Sequence, residues 1–168
     1  LALVDVAAGR VVDGIWVGDE PTNIVWDKQR KRAYVALAGA GAVAVVDLEQ
    51  RRRLVTVETV FDPKAMALSP DGQTLVVASH RSGQSNIYPY GQRDIATETD
   101  IALVDLESLM VEGHILEVAS TIQDLKFSPD GALWVSATSN TIEGGLNDSD
   151  VPSFRHELFT LAVEAGPA

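Results

Sequence analysis

The sequence predicts an all-β fold built from repeats, and two recurring phrases support this prediction. The first occurs four times: LALVDVAAG at 1–9, VAVVDLE at 43–49, IALVDLE at 101–107 and LFTLAVEAG at 158–166. The second occurs three times, once in degenerate form: AMALSPDGQTLVVAS at 65–79, DLKFSPDGALWVSAT at 124–138 and NIVWDKQRKRAYVAL at 23–37. Self-similarity at a period of tens of residues, in short apolar runs without sustained helical periodicity, is typical of repeat proteins.

Each repeat can be divided into four short strands. The run 66–69 is followed by the turn residues Pro70-Asp71-Gly72, and then by the β-branched run 74–79. A third strand is predicted at 43–48, and the alternating run 54–60 is typical of a fourth strand with one wetter face. Four strands in about 40 residues is the size of one propeller blade. The sequence therefore predicts a β-propeller of four-stranded antiparallel blades.

Three aspartates mark the same position in successive repeats. Asp5, Asp47 and Asp105 lie 42 and 58 residues apart, and Ala162 takes the equivalent place 57 residues later. The longer intervals indicate two insertions at one equivalent point of the repeat. Each aspartate precedes a turn, so we expect it to accept hydrogen bonds from nearby backbone amides rather than to form a carboxylate ring.

The order of these phrases resembles the YVTN family of β-propeller repeats. The resemblance rests on VVDL, a Gly/Pro-containing link at 17–23, SPDG and LVVAS, and it covers nearly the whole chain apart from the two insertions. Two repeats depart from the pattern: 27–30 replaces SPDG, and Leu161-Ala162 replaces Val-Asp. The resemblance implies that the strand preceding SPDG is the innermost strand of each blade.

This strand order predicts a single, partial propeller domain over 1–168. The chain would open with two outer strands, continue through two complete blades and stop after three strands of another; the expected bounds are about 1–20, 21–60, 61–120 and 121–168. Propellers close with about four to eight blades. We therefore expect the remaining blades of a six- to eight-bladed ring to come from the same parent chain or from another chain.

The insertions, at 80–100 and 139–156, both join a second strand to a third strand, so we expect them on one face of the propeller. Long loops on a rigid scaffold often bear function. They could form a recognition surface or merely cover blade edges.

The first insertion contains candidate ligand-binding residues. Arg81, Arg93 and His80 could bind an anionic ligand, with Tyr88 and Tyr90 as flat walls. Alternatively, the tyrosines anchor the loop and the arginines pair with acidic neighbours.

His156 ends the second insertion and occupies a place equivalent to the end of the first, so it could approach His80 near the channel. A metal site needing several histidines would require others from further blades. Otherwise these histidines make isolated hydrogen bonds.

The second insertion also contains oxygen ligands around a Gly-Gly pair. Crowded carboxylate and amide oxygens suit Ca²⁺, although the spacing is not that of an EF-hand. The other interpretation is a solvated acidic loop. The candidate ligands are Glu143, Asn147, Asp148 and Asp150.

Charge and composition exclude several classes of function. The net charge of −11 argues against general nucleic-acid binding. No apolar run approaches the length of about 20 residues that a membrane helix needs. The chain has no cysteine, which excludes disulfides and covalent c-type haem within it. The sequence leaves the cofactor unknown, with calcium as a weak candidate.

Eight of the thirteen basic residues lie in the first 53 positions, in predicted turns opposite the insertions. This face could dock an acidic protein partner, or its charges could simply keep the turns soluble. The candidate docking residues are Arg30, Lys31, Arg32, Arg51, Arg52 and Arg53.

The resemblance implies an exported protein, in the periplasm or at the surface of a bacterium. The leading function hypothesis is a scaffold that binds a small anionic ligand or a protein partner through the insertion-bearing face. The alternative is part of an oxidoreductase or electron-transfer protein whose cofactor ligands lie largely outside this segment. A third, lactone hydrolysis, follows from fold similarity alone, and whether the protein is an enzyme stays open.

Overall fold

The computed structural model of the chain describes residues 1–80, 99–119, 121–139 and 155–161, the last of these by its backbone. These residues form thirteen β-strands and one short 3₁₀ turn at Ala38–Ala40. The strands are β1 (Ala2–Asp5), β2 (Arg10–Gly14), β3 (Pro21–Asp27), β4 (Arg32–Leu37), β5 (Ala42–Asp47), β6 (Arg52–Glu58), β7 (Pro63–Leu68), β8 (Thr74–Ser79), β9 (Thr99–Asp105), β10 (Met110–Ala119), β11 (Thr121–Phe127), β12 (Leu133–Ser139) and β13 (Arg155–Leu161).

The strands form four sheets in chain order, and every neighbouring pair is antiparallel. Sheet 1 contains β1 and β2, sheet 2 contains β3 to β6, sheet 3 contains β7 to β10, and sheet 4 contains β11 to β13. The predicted all-β class is confirmed. In the part of the chain described here, no helix has the length and apolarity needed to cross a bilayer.

Alternation along the strands sorts apolar side chains onto two faces of each sheet. In β4, Tyr34 joins a core shared by sheets 2 and 3, whereas Val35 joins a core that includes Val17 in the segment between sheets 1 and 2. In β8, Val77 belongs to the first of these cores, and Val76 packs between sheets 3 and 4. The second strands β4 and β8 are therefore buried on both faces, which explains why each is a continuous apolar run.

The first strands of neighbouring sheets meet one another. Strand β7 packs against β3 on one side and against β11 on the other. The fourth strands, β6 and β10, lie at the far edges of their sheets. This is the arrangement of propeller blades, whose innermost strands converge around a central axis.

The hairpin register gives the stack of sheets two edges. One, here named the insertion edge, contains the links between sheets and the ends of β8 and β12, where both long insertions leave the sheets. The other, the turn edge, contains the short turns β3–β4, β7–β8 and β11–β12 together with the turns that follow β1, β5 and β9.

The repeated aspartates and glycines shape the turn edge. As predicted, Asp5, Asp47 and Asp105 each accept a hydrogen bond from the amide three residues later, at 3.0, 2.7 and 2.6 Å respectively. The SPDG glycines adopt the left-handed region, with φ of +72° at Gly72 and +92° at Gly131. Glycine enters this region without the steric cost that a Cβ brings.

This conformation gives a first prediction. Both Gly131 and Gly113 have open space where a Cβ would stand, but only Gly131 has a positive φ. Gly131→Ala should lower the free energy of unfolding by about 1–2 kcal/mol, because alanine is strained in that region. Gly113→Ala should change it by less than about 1 kcal/mol. Urea denaturation of the two variants measures the difference, and equal unfolding free energies would contradict the turn assignment.

Candidate functional site

The innermost strands of sheets 2, 3 and 4 share a β-bulge near the insertion edge. The pairing register shifts between Pro21 and Asn23 in β3, between Pro63 and Ala65 in β7, and at the equivalent place in β11. The extra residues are Thr22, Lys64 and Gln123. Bulges change the direction of side chains and are common beside functional sites. Their repetition here indicates a designed feature of this edge.

Two side chains of β3 fix the bulge of β7 in place. The Thr22 hydroxyl donates to the Pro63 carbonyl at 2.9 Å, and the Asn23 amide donates to the Lys64 carbonyl at 2.8 Å. Both bonds cross from sheet 2 to sheet 3. The backbone of Lys64 is therefore held by the neighbouring sheet as well as by its own.

The Lys64 ammonium reaches His80, the residue that follows β8. Its Nζ lies 3.3 Å from His80 Nε2, in a partly buried environment. The His80 backbone N–H donates to the Asp62 carbonyl at 2.9 Å, and His80 Nδ1 lies 3.5 Å from the carbonyl oxygen of Ile122 in sheet 4. An ammonium can only donate, so Nε2 accepts and the ring proton is assigned to Nδ1. The Lys64 ammonium and the His80 imidazole thus lie together between sheets 3 and 4.

The structure brings some predicted site residues to this edge. His80 lies in the cluster just described, and the backbone of His156 in β13 pairs with Thr138. Four predicted ligand-binding residues lie outside the described residues: Arg81, Tyr88, Tyr90 and Arg93. The four predicted calcium ligands, Glu143, Asn147, Asp148 and Asp150, also lie outside them. Among the described residues, no group of three or more His, Asp or Glu side chains lies close enough together to hold a metal ion.

Lys64 was not singled out by sequence reasoning. The sequence feature that could have indicated Lys64 is a polar residue directly after the proline that begins the first strand of a sheet. Thr22 follows Pro21 in the same way. The bulge that directs its side chain depends on pairing with β8, so the local pattern of residues does not reveal it.

The predicted docking residues lie on the turn edge, and Arg30 has the most contacts with the rest of the chain. Its Nη1 donates to Asp27 Oδ2 at 3.1 Å and to the Gly72 carbonyl at 2.6 Å, and its Nη2 donates to Gln73 at 3.3 Å. The guanidinium therefore links sheet 2 to the SPDG turn of sheet 3. We name these contacts the Arg30 clasp.

Asp27 is the buried anion of the Arg30 clasp, with 1% of its surface exposed. Burial alone would raise the pKa of its carboxyl, but the backbone N–H and the guanidinium of Arg30 outweigh burial and hold the pKa below its ordinary value. The Tyr34 hydroxyl also donates to Asp27 Oδ2, at 3.3 Å. Burial, and then the Asp27 charge, raise the pKa of Tyr34. The clasp thus joins a buried carboxylate to a partly exposed guanidinium.

The other turn-edge cations also have contacts within the chain. Lys31 pairs with Glu49, and Arg52 donates to Gln50 at 2.7 Å. Arg51 pairs with Asp13 at 3.2 Å, and Arg53 donates to the Val17 carbonyl at 3.0 Å, so both tie sheet 2 to the segment before it. Arg32 hydrogen-bonds the Tyr34 hydroxyl and offsets part of the rise in the Tyr34 pKa. Docking of a partner by these residues stays a prediction.

Solved structures with the same fold match the chain. The hydrazine synthase of Kuenenia stuttgartiensis matches with a TM-score of 0.80 and 23% identity, over 98% of this chain and 45% of that chain. The Myceliophteria thermophila Cps50 (Swd1) β-propeller domain matches with a TM-score of 0.54 and 12% identity, over 86% of this chain and 39% of that one. No family model and no curated protein sequence matches.

These likenesses define the class of protein. The chain has a β-propeller fold, and it spans less than half the length of either structure that it matches. Its sheets of two, four, four and three strands correspond to part of a ring. The fold prediction is confirmed at this level, while membership of the YVTN family stays a prediction.

The Arg30 clasp gives a second prediction. In a double-mutant cycle of Asp27→Asn and Arg30→Met, urea unfolding at pH 7 should show a coupling of about 1–3 kcal/mol between these residues. Because the folded pKa of Asp27 is lowered, this stabilisation is present above the ordinary carboxyl pKa of about 4 and is lost as the pH falls through the folded value. The coupling should therefore shrink on acidification below about pH 4. Zero coupling at pH 7 would contradict the clasp.

Proposed function

We propose that the chain is part of a propeller scaffold that binds a small anionic ligand, or an anionic group of a partner, at its insertion edge. The Lys64–His80 cluster is the observation that supports this proposal. The cluster stands where the first long insertion leaves the sheet, and two neighbouring sheets hold it in position.

The chemistry of the cluster favours an anion. The Lys64 ammonium has three N–H donors and gives one to His80. Within the described residues, its other two donors are left for a carboxylate or phosphate oxygen. The net charge of −11 repels anions at long range. Binding of an anion therefore needs a cation that the fold holds in place. Partial burial strengthens a charge-assisted hydrogen bond relative to one in water.

A second candidate function, part of an oxidoreductase, is favoured by the likeness to a hydrazine synthase. In that case His80 would lie near the reactive centre, and the cofactor ligands would come largely from further sequence. Lactone hydrolysis has only fold similarity behind it and is weaker. Export to the periplasm or cell surface stays a prediction from the YVTN resemblance.

The third prediction tests anion binding with inorganic phosphate and with citrate as separate probes. Either probe should shift the NMR signals of the His80 ring in the full chain in a saturable manner. Lys64→Met keeps the aliphatic stem and removes the charge, so it should weaken binding by about tenfold or more, which corresponds to about 1.4 kcal/mol. Lys126→Met is the matched control, because Lys126 is 79% exposed on β11 away from the cluster.

Phosphate or citrate binding that survives Lys64→Met would overturn the proposed site. If the purified protein instead contains a metal or a visible chromophore that His80→Ala removes, this result would support the oxidoreductase function over the anion-binding scaffold. Unchanged urea unfolding of Lys64→Met would show that a loss of binding is not a loss of fold.

We also propose that further strands of the ring cover two apolar faces that the described residues leave partly open, one on sheet 2 and one on sheet 4. Ile24 and Trp26 alternate with Val25, which packs toward sheet 3, and they are 48% and 60% exposed on the opposite face of β3. On sheet 4, Trp134 is 42% exposed, on the face opposite the Val135 core. Apolar blade faces open to water favour association, so a completed ring would bury both.

The fourth prediction uses the three tryptophans of the chain as probes. In variants that keep only Trp26 or only Trp134, with Phe at the other two positions, acrylamide should quench the native protein much less than the urea-unfolded chain. Native mass should show either a subunit heavier than 18.0 kDa or an assembly of several chains. A native monomer of 18.0 kDa in which both tryptophans are as accessible as in urea would contradict ring completion.

A further inference from the structure

A groove opens on the turn edge between sheets 3 and 4, opposite the insertion edge. It has a volume of about 370 Å³ and lies between the two SPDG turns. We name it the turn groove; its walls include Asp71, Thr74, Phe127, Pro129 and Asp130.

The equivalent place between sheets 2 and 3 is filled by side chains of the chain itself. A Cβ added at Gly72 would lie 3.3 Å from the Gln29 amide oxygen and 3.8 Å from Arg30 Nη1. One junction further on, a Cβ added at Gly131 would meet no atom within 4 Å. The same turn is therefore covered at the first junction and open at the second.

The repeat explains this difference. Arg30 is the fourth residue of the segment that replaces SPDG in sheet 2, and Gly72 is the fourth residue of SPDG in sheet 3. Arg30 extends across its junction to the carbonyl of Gly72, whereas Gly72 has no side chain to extend toward Gly131. The turn groove, between sheets 3 and 4, thus corresponds to the position that the Arg30 guanidinium occupies between sheets 2 and 3.

The charges of the turn groove suit a guanidinium. Asp71 Oδ1 accepts hydrogen bonds from the Ser69 hydroxyl at 2.6 Å and from the backbone N–H of Gln73 at 3.0 Å. Asp130 Oδ1 accepts the equivalent bonds from the Ser128 hydroxyl and from the backbone N–H of Ala132. The serine hydroxyls, and then the backbone amides, lower the pKa of both aspartates, so both are ionised at neutral pH. Within the described residues, the other oxygen of each carboxylate accepts no hydrogen bond from another residue, so it can accept one from a ligand.

The walls add a preference for arginine over lysine. Phe127 and the prolines Pro70 and Pro129 offer flat apolar surface beside the two carboxylates. A guanidinium stacks on such surface and donates in a planar fork, while an ammonium is a strongly hydrated point charge. Arg30 shows the same combination of a carboxylate and a turn carbonyl as acceptors within this protein.

We propose that the turn groove is a docking site for an arginine side chain of a protein partner. The groove corresponds to a junction that the chain closes with its own arginine, and its walls include the carboxylates of Asp71 and Asp130. The site is independent of the anion site, because it lies on the opposite edge of the sheets.

The fifth prediction uses the peptide acetyl-Gly-Arg-Gly-amide as the probe, titrated into the full chain at low salt. The amide signals of Asp130 and Gly131 should shift in a saturable manner. The same peptide with Lys in place of Arg should bind several-fold more weakly. Asp71→Asn with Asp130→Asn should weaken binding of the arginine peptide by about tenfold or more. Each Asn keeps an oxygen acceptor for its turn, so the variant should fold.

Asp124→Asn is the matched control, since it removes one negative charge from an exposed side chain of β11 outside the groove and should leave binding unchanged. Three results would each overturn the proposal: equal binding of the Arg and Lys peptides, arginine binding unaffected by the double aspartate change, or no saturable shift at Gly131. Urea unfolding of the double variant separates a lost site from a lost fold.

Discussion

Face-to-face packing of neighbouring sheets is the constraint on which the rest of this structure depends. A four-stranded sheet that is apolar on both faces is stable only when a sheet covers each face. Sheet 3 meets this condition, because Val77 packs toward sheet 2 and Val76 toward sheet 4. Sheets 2 and 4 meet it in part, which leaves Trp26 and Trp134 exposed.

The polar contacts at the junctions add specificity to this packing, and they differ from one junction to the next. Arg51 and Arg53 join sheet 2 to the segment before it, and the Arg30 clasp joins sheet 2 to sheet 3. At the third junction an open groove with Asp71 and Asp130 takes the place of a clasp. Divergence within the repeats therefore determines which junctions are closed by the chain and which are open to a partner.

The insertion edge follows a different principle, since its geometry comes from the bulges of the innermost strands. A bulge places one extra residue in the strand, and in β7 this residue is Lys64. Hydrogen bonds from Asn23 and the approach of His80 then fix a cation at the start of the long insertion. The two edges thus differ in chemistry: a fixed cation beside the insertions and ionised carboxylates in the turn groove.

The sequence by itself determined the all-β class and the turn chemistry, because alternation, SPDG and the repeated aspartates act through local backbone preferences. The strand order within a blade was predicted from the YVTN resemblance. Asp47 and Gly131 behave as their local pattern predicts. Only the tertiary structure decided that Arg30 bridges two sheets and that Lys64 meets His80. Those contacts join residues 42 and 16 positions apart. They depend on inter-sheet packing and on a bulge in the strand register, which no local pattern of residues specifies.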